Sequence, residues 1–142
     1  MIKNIKQKLQ EGFTLVEILI VVVIIGILAS IAVPIYFDYV KRGYATDATT
    51  QIKSIYEASK LYRSENGDYP VDIADIADNN YFNIPRSTLD KWDFEINITD
   101  DDSGQMEGTI IATSLDEMPG GAGQFIEFDV SSGRYTGYGQ KK

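Results

Sequence analysis

The chain of 142 residues carries 13 basic and 21 acidic side chains, a formal net charge of −8, and neither cysteine nor histidine. An acidic surface repels phosphate backbones, which argues against nucleic-acid binding; without thiol or imidazole there are no disulfides, zinc thiolates or His-based acid–base pairs, which makes an enzyme the remote reading. The length suits one ordinary domain plus an appended segment, and the roughly 100 residues beyond position 41 can bury a core without metal or disulfide support.

The N-terminal end begins with Lys3, Lys6 and Lys8 and has no acidic residue in its first ten positions. That bias keeps the extreme N-terminus cytoplasmic and the body on the far side of the membrane. Residues 13–35 then supply 23 positions, and within residues 18–33 only Gly26 and Ser30 are not aliphatic or alanine. A helix of about 20 residues crosses the roughly 30 Å hydrocarbon layer. A cleavable secretory signal could use Ser30-Ile31-Ala32 as its small-x-small site, but the run is longer than the usual 7–15 residues. A plain single-span anchor accounts for the length and gives no reason for Glu17, whose kind costs about 2.5–3.5 kcal/mol near a membrane centre.

The residues Gly12-Phe13-Thr14-Leu15-Val16-Glu17, followed by an aliphatic helix with Gly26 and Pro34, closely resemble the class III signal of type IV pilins and type II secretion pseudopilins. The match runs without a gap over about residues 8–40. The resemblance implies that residues 1–12 are a leader, removed by a prepilin peptidase between Gly12 and Phe13, with N-methylation of the new Phe13 amine. It also implies that Glu17, then the fifth residue, meets the Phe13 amine of a neighbouring copy, so that burying the carboxylate rewards assembly. Removing one member of a buried charge pair typically costs about 3–5 kcal/mol. Gly26 and Pro34 weaken a helix locally and are tolerated in membrane spans. The family resemblance adds the expectation that the helix melts between them in a filament. Identical subunits in a helical filament, an inner-membrane assembly platform with its ATPase machinery, and the membrane itself before assembly are the partners it implies. The place it implies is the inner membrane first, then an extracellular pilus or a periplasmic pseudopilus.

Beyond "YFDYVKRG" the pattern remains helical through residues 36–64, with Ala45, Ala48, Ile52, Ile55, Ser59 and Tyr62 on one face and Asp47, Lys53, Glu57 and Lys60 off it. "SENGDYP" ends the helix near Ser64, because Asn66-Gly67 is a strong turn signal and Pro70 restricts its predecessor. Residues 65–142 form the expected head. Residues 71–91 read as a mixed loop with a short helix near 71–77. After Trp92 the period becomes two: "DFEINIT" alternates Phe94, Ile96 and Ile98 with Glu95 and Asn97, "GTIIATS" and "QFIEFDV" follow, and "VSSGRYTGY" is a hairpin turning at Ser131-Ser132-Gly133. The expected fold is α+β, a long N-terminal helix whose second half packs on an antiparallel sheet of three or four strands. "LYRSENGDYP" resembles the helix end of major pseudopilins and short-bodied pilins. The C-terminal disulfide of the best-known pilins is impossible here.

Asp100, Asp101 and Asp102 crowd the loop "TDDDSGQMEG" with Glu107, and hard oxygen donors in a loop are what calcium needs; a solvated hairpin tip explains them as well. The resemblance to major pseudopilins, which bind calcium in a C-terminal loop, implies Asp116 and Glu117 in "SLDEMPGGAG" as further calcium candidates. "PGGAG" lacks the Lys-Ser/Thr of a phosphate loop and reads as a flexible connection. Tyr56 and Tyr62 read as core or subunit-contact aromatics, and the sequon Asn97-Ile98-Thr99 falls in a strand. The preferred reading is a filament subunit without catalysis, as a pilin or as a major pseudopilin. A membrane-tethered calcium- or ligand-binding module is the rival from another class.

Overall fold

The computed structural model describes residues 12–140. Its elements, in chain order, are α1 (Leu15–Asn66), α2 (Ile73–Asp78), α3 (Arg86–Leu89), β1 (Trp92–Asp100), β2 (Met106–Ser114), β3 (Phe125–Asp129) and β4 (Arg134–Gly137). The chain divides into two units at Phe37 and Asp38.

In the first unit the described residues are Gly12, Phe13 and Thr14, which precede the helix, and then one helical stretch, the opening part of α1. It is long and apolar enough to cross a membrane. Its aliphatic side chains are exposed throughout, from Leu15 at 82% to Ile35 at 50%. Neither Gly26 nor Pro34 interrupts the helix. Pro34 has no N–H to give, so the Ser30 carbonyl loses its usual donor, and the Ser30 hydroxyl bonds the Ile27 carbonyl at 2.7 Å.

In the second unit the remainder of α1 buries Ala45, Ala48, Ile52, Ile55, Ala58 and Ser59. Five of these are the anticipated face; Ala58 joins them, and Tyr62 is only partly buried at its margin. The helix continues to Asn66, two residues past the expected Ser64, where Gly67 closes the last turn by donating to the Arg63 carbonyl at 2.8 Å. The four strands form an antiparallel meander in the order β1-β2-β3-β4. Trp92, Phe94, Ile96 and Ile98 of β1, Ile110 and Ala112 of β2, and Ile126 and Phe128 of β3 point to one side and share a core with the helix face. Asp93, Glu95, Asn97 and Thr99 point the other way, as a period of two demands.

Two features of this packing have local causes. Gly108 opposes Ile98 across the β1–β2 ladder with φ near 114°, and any side chain there would strike the Asn97 carbonyl. The segment between α1 and the sheet holds two short helices where one was expected. α2 starts at Asp72, whose carboxylate accepts from Ala74 N–H at 3.3 Å while Asp75 returns a bond to the Asp72 N–H at 3.2 Å, a reciprocal cap. α3 follows Pro85, and its buried Thr88 donates to the Asp47 carboxylate on α1 at 3.2 Å.

Candidate functional site

The first candidate lies where α1 begins. Thr14 caps the helix: its hydroxyl oxygen accepts from Glu17 N–H at 3.2 Å, while one carboxylate oxygen of Glu17 accepts from both the Thr14 N–H and the Thr14 hydroxyl at 2.8 Å. This is a Thr-x-x-Glu capping box, and a negative charge in the first turn also meets the positive end of the helix dipole. Glu17 is therefore not the uncompensated charge that its apolar surroundings suggest. The signal for this was present in the sequence, because Thr14 precedes Glu17 by three residues at the start of an apolar run. Only Oε2 is used, so Oε1 has no hydrogen bond among the described residues. Gly12 and Phe13 lie just outside the helix, both exposed. The rest of the expected leader, residues 1–11, lies outside the described residues.

The first acidic loop spends two of its carboxylates, Asp100 and Asp101, on structure. One oxygen of Asp100 pairs with Arg63 and the other accepts from the Tyr69 hydroxyl at 2.9 Å; Arg63 also donates to that hydroxyl at 2.5 Å. These contacts fasten the end of α1 to the end of β1. Partial burial, and next the bond to Asp100, raise the Tyr69 phenol above its ordinary value. Asp101 closes its own turn, accepting from the Ser103 hydroxyl at 2.6 Å and from the N–H groups of Ser103 and Gln105 at 2.8 Å. Those bonds, the Ser103 hydroxyl first, hold its carboxyl below the usual range. Asp102 is exposed, and Asp116 and Glu117 lie past the opposite end of β2 from it.

Among the described residues no three acidic side chains gather as a metal ion requires. The calcium candidates Asp100, Asp101, Asp102, Asp116 and Glu117 are thus not brought together, because two are consumed in turn and ion-pair bonds and a nine-residue strand separates the two loops. The connection holding "PGGAG" is more organised than its glycines suggest. Ser114 donates to the Gly121 carbonyl at 2.7 Å and accepts from Gln124 N–H at 2.8 Å, and Met118 is buried beneath. Tyr56 packs edge-on to Phe128, with ring centres 5.4 Å apart, and Tyr62 packs likewise on Tyr81 at 5.7 Å.

Comparison with known proteins bears on the first candidate. Residues 7–33 match the family model described as the prokaryotic N-terminal methylation motif. A fimbrial protein of Pseudomonas aeruginosa is 38% identical over 109 residues, covering 75% of this chain and 69% of that protein. The fimbrial protein EcpC of Eikenella corrodens is 44% identical over 68 residues, covering 48% of this chain and 44% of that protein. The type IV major pilin protein PilA of Myxococcus xanthus (strain DK1622) is 47% identical over 59 residues, 42% of this chain and 27% of that protein. The chain thus spans less than half the length of two of these relatives. The methylation motif, the exposed aliphatic stretch at the start of α1, a sheet packed on the later part of that helix, and a likeness reaching well into the head place the chain in the type IV pilin family, whose members are structural subunits and not enzymes.

Proposed function

We propose that the chain is a major pilin-like subunit of a type IV pilus-type filament, polymerised through α1. In this reading residues 1–12 are the leader, residues 13–35 are first the membrane span and then the filament core, residues 36–64 continue the helix, and residues 65–142 form the head. A prepilin peptidase cuts between Gly12 and Phe13, and Phe13 becomes the methylated N-terminus. The precursor crosses the inner membrane once with its N-terminus in the cytoplasm, and an assembly platform with its ATPase feeds it into an extracellular filament. Gly26 and Pro34 are the places where the helix yields.

The observation that carries the proposal is the methylation motif matched over residues 7–33, together with the opening stretch of α1, where no aliphatic side chain from Leu15 to Ile35 is buried. Such a surface is suited to lipid or to other copies of itself, since apolar patches beyond a few hundred Å² are rare on free monomers. The capping box sharpens the role of Glu17. Its unbonded Oε1 can take the Phe13 amine of an adjacent copy without opening the Thr14 bonds.

Intact mass of the native protein tests the processing: loss of residues 1–12 plus one methyl group is expected, and an uncut chain refutes it. Glu17→Gln tests the assembly role more cleanly than Glu17→Ala, because glutamine keeps the capping box and removes the charge. Both variants should abolish ordered filaments; normal filaments from Glu17→Gln would reduce Glu17 to a helix cap.

A further inference from the structure

The head has one region whose charge runs against the rest. Between residues 12 and 140 acidic side chains outnumber basic ones by 20 to 8. Yet a cleft of about 440 Å³ beside β4 is lined by Lys41, Arg42 and Arg134 with a single carboxylate, Asp38. The two ion pairs among the described residues, Lys60 with Glu57 and Arg63 with Asp100, involve none of these cations. The cleft exists because the chain after β4 presses onto α1. Gly139, with φ near 70°, lies so close that a side chain would strike Ala45 and approach the Lys41 carbonyl at 3.2 Å. Its neighbour Tyr138 sits under the Lys41 ammonium, 4.8 Å from the ring centre, which holds that cation at the cleft.

Position along the chain suggests what the cations meet. Lys41 and Arg42 follow Ile35, the last residue of the apolar run, by six and seven positions. So short a separation in the chain keeps the two cations near the roughly 5–8 Å of headgroup layer on each side of a hydrocarbon core, where long Lys and Arg side chains reach back toward the interface. Between lie Tyr36, Phe37 and Tyr39, each more than 60% exposed, the residue type that settles at a membrane interface. Cations just beyond the span on the translocated side blunt the bias set by Lys3, Lys6 and Lys8, so their presence calls for a duty on that side.

We infer that the cleft formed by Lys41, Arg42 and Arg134 binds the phosphate of an anionic phospholipid headgroup in the leaflet facing away from the cytoplasm, while the subunit awaits assembly. The two guanidinium groups supply the planar paired donors that suit phosphate, and Lys41 adds a point charge. The inference rests on the membrane topology proposed above.

The test reconstitutes the full chain into vesicles of equal parts phosphatidylglycerol and phosphatidylethanolamine and measures which lipid stays with the protein when it is withdrawn in mild detergent. The wild type should retain phosphatidylglycerol preferentially, and Arg42→Gln and Arg134→Gln should each lower that preference about fivefold. Arg134 is decisive, because it comes from β4 and not from the segment next to the span. If Arg134→Gln changes nothing while Arg42→Gln does, charge beside the span suffices and the cleft is refuted. Unchanged lipid retention combined with lost filaments would make the surface a contact between copies and overturn the proposal. Inorganic phosphate bound without any lipid preference would assign it to a soluble anion instead. Recovery of the chain in the lipid-free fraction would refute the span itself, a failure distinct from loss of headgroup preference in an inserted chain.

Discussion

Ile52→Ala is the direct trial of how the helix holds the sheet. Ile52 has no exposed surface and lies midway along the buried face of α1, between Ala48 and Ile55. Isoleucine truncated to alanine in a core costs about 2–5 kcal/mol, the upper end applying where neighbours cannot collapse into the void. Here the buried residues next along that face include Ala45, Ala48 and Ala58, whose side chains are too short to move in. The expected loss is therefore about 4 kcal/mol, a large part of the roughly 5–15 kcal/mol available to a domain of this size. The readout is built in, since Trp92 is the single tryptophan and is fully buried in the same core. Denaturant unfolding in detergent, followed by its emission, should show a lower midpoint with an unchanged slope. Ile52→Val should cost only about 0.5–1.5 kcal/mol, and Leu61→Ala, at a position 47% exposed on the same helix, should stay within about 0.5 kcal/mol. If Ile52→Ala costs no more than Ile52→Val, the helix face is not packed as described.

Three further outcomes follow from single features. Gly108→Ala should lower the melting temperature sharply by forcing a side chain into the Asn97 carbonyl at a positive φ; a melt equal to wild type would show that the β1–β2 ladder tolerates a shift there. In a double-mutant cycle on Arg63 and Asp100, both about a third exposed, the coupling should reach about 0.5–1 kcal/mol and shrink in high salt; a coupling near zero would make the pair ornamental. Asp129 is held below the ordinary carboxylate value of 3.8, first by the Ser132 N–H and then by the Ser132 hydroxyl. A folded-state value below the unfolded one adds stability above the unfolded value and loses it as pH falls through the folded one. Asp129→Asn should thus melt below wild type at neutral pH, with the gap closing in acid; a gap constant across pH would refute the turn's dependence on charge.

Much of the architecture was legible in the chain. The apolar run, the Gly12-to-Glu17 motif and the alternation of Phe94, Ile96 and Ile98 are periodic or contiguous signals, and the helix, the span-length stretch and the meander follow from them. The candidate site was legible only in part. The position of Glu17 stands out against the apolar run, whereas its pairing with Thr14 answers a different need, that of the open N–H groups at a helix start. The acidic loop was misleading for the opposite reason. Its carboxylates look free in a sequence, and the fold spends Asp100 on Arg63 and Asp101 on its own turn.

By itself, then, the sequence determined what depends on neighbours along the chain: an uninterrupted stretch fit for lipid, the start and phase of the helix, and the face of each strand that must leave water. Tertiary structure decided what depends on where the chain returns. It joined Arg63 to Asp100, covered Asp47 with Thr88, and brought Arg134 of β4 beside Lys41 and Arg42 of α1. Periodicity states how much surface an element must bury, a property of local spacing. Which polar groups then meet is set by the register of the strands and the line along which helix and sheet pack, and no local pattern encodes that.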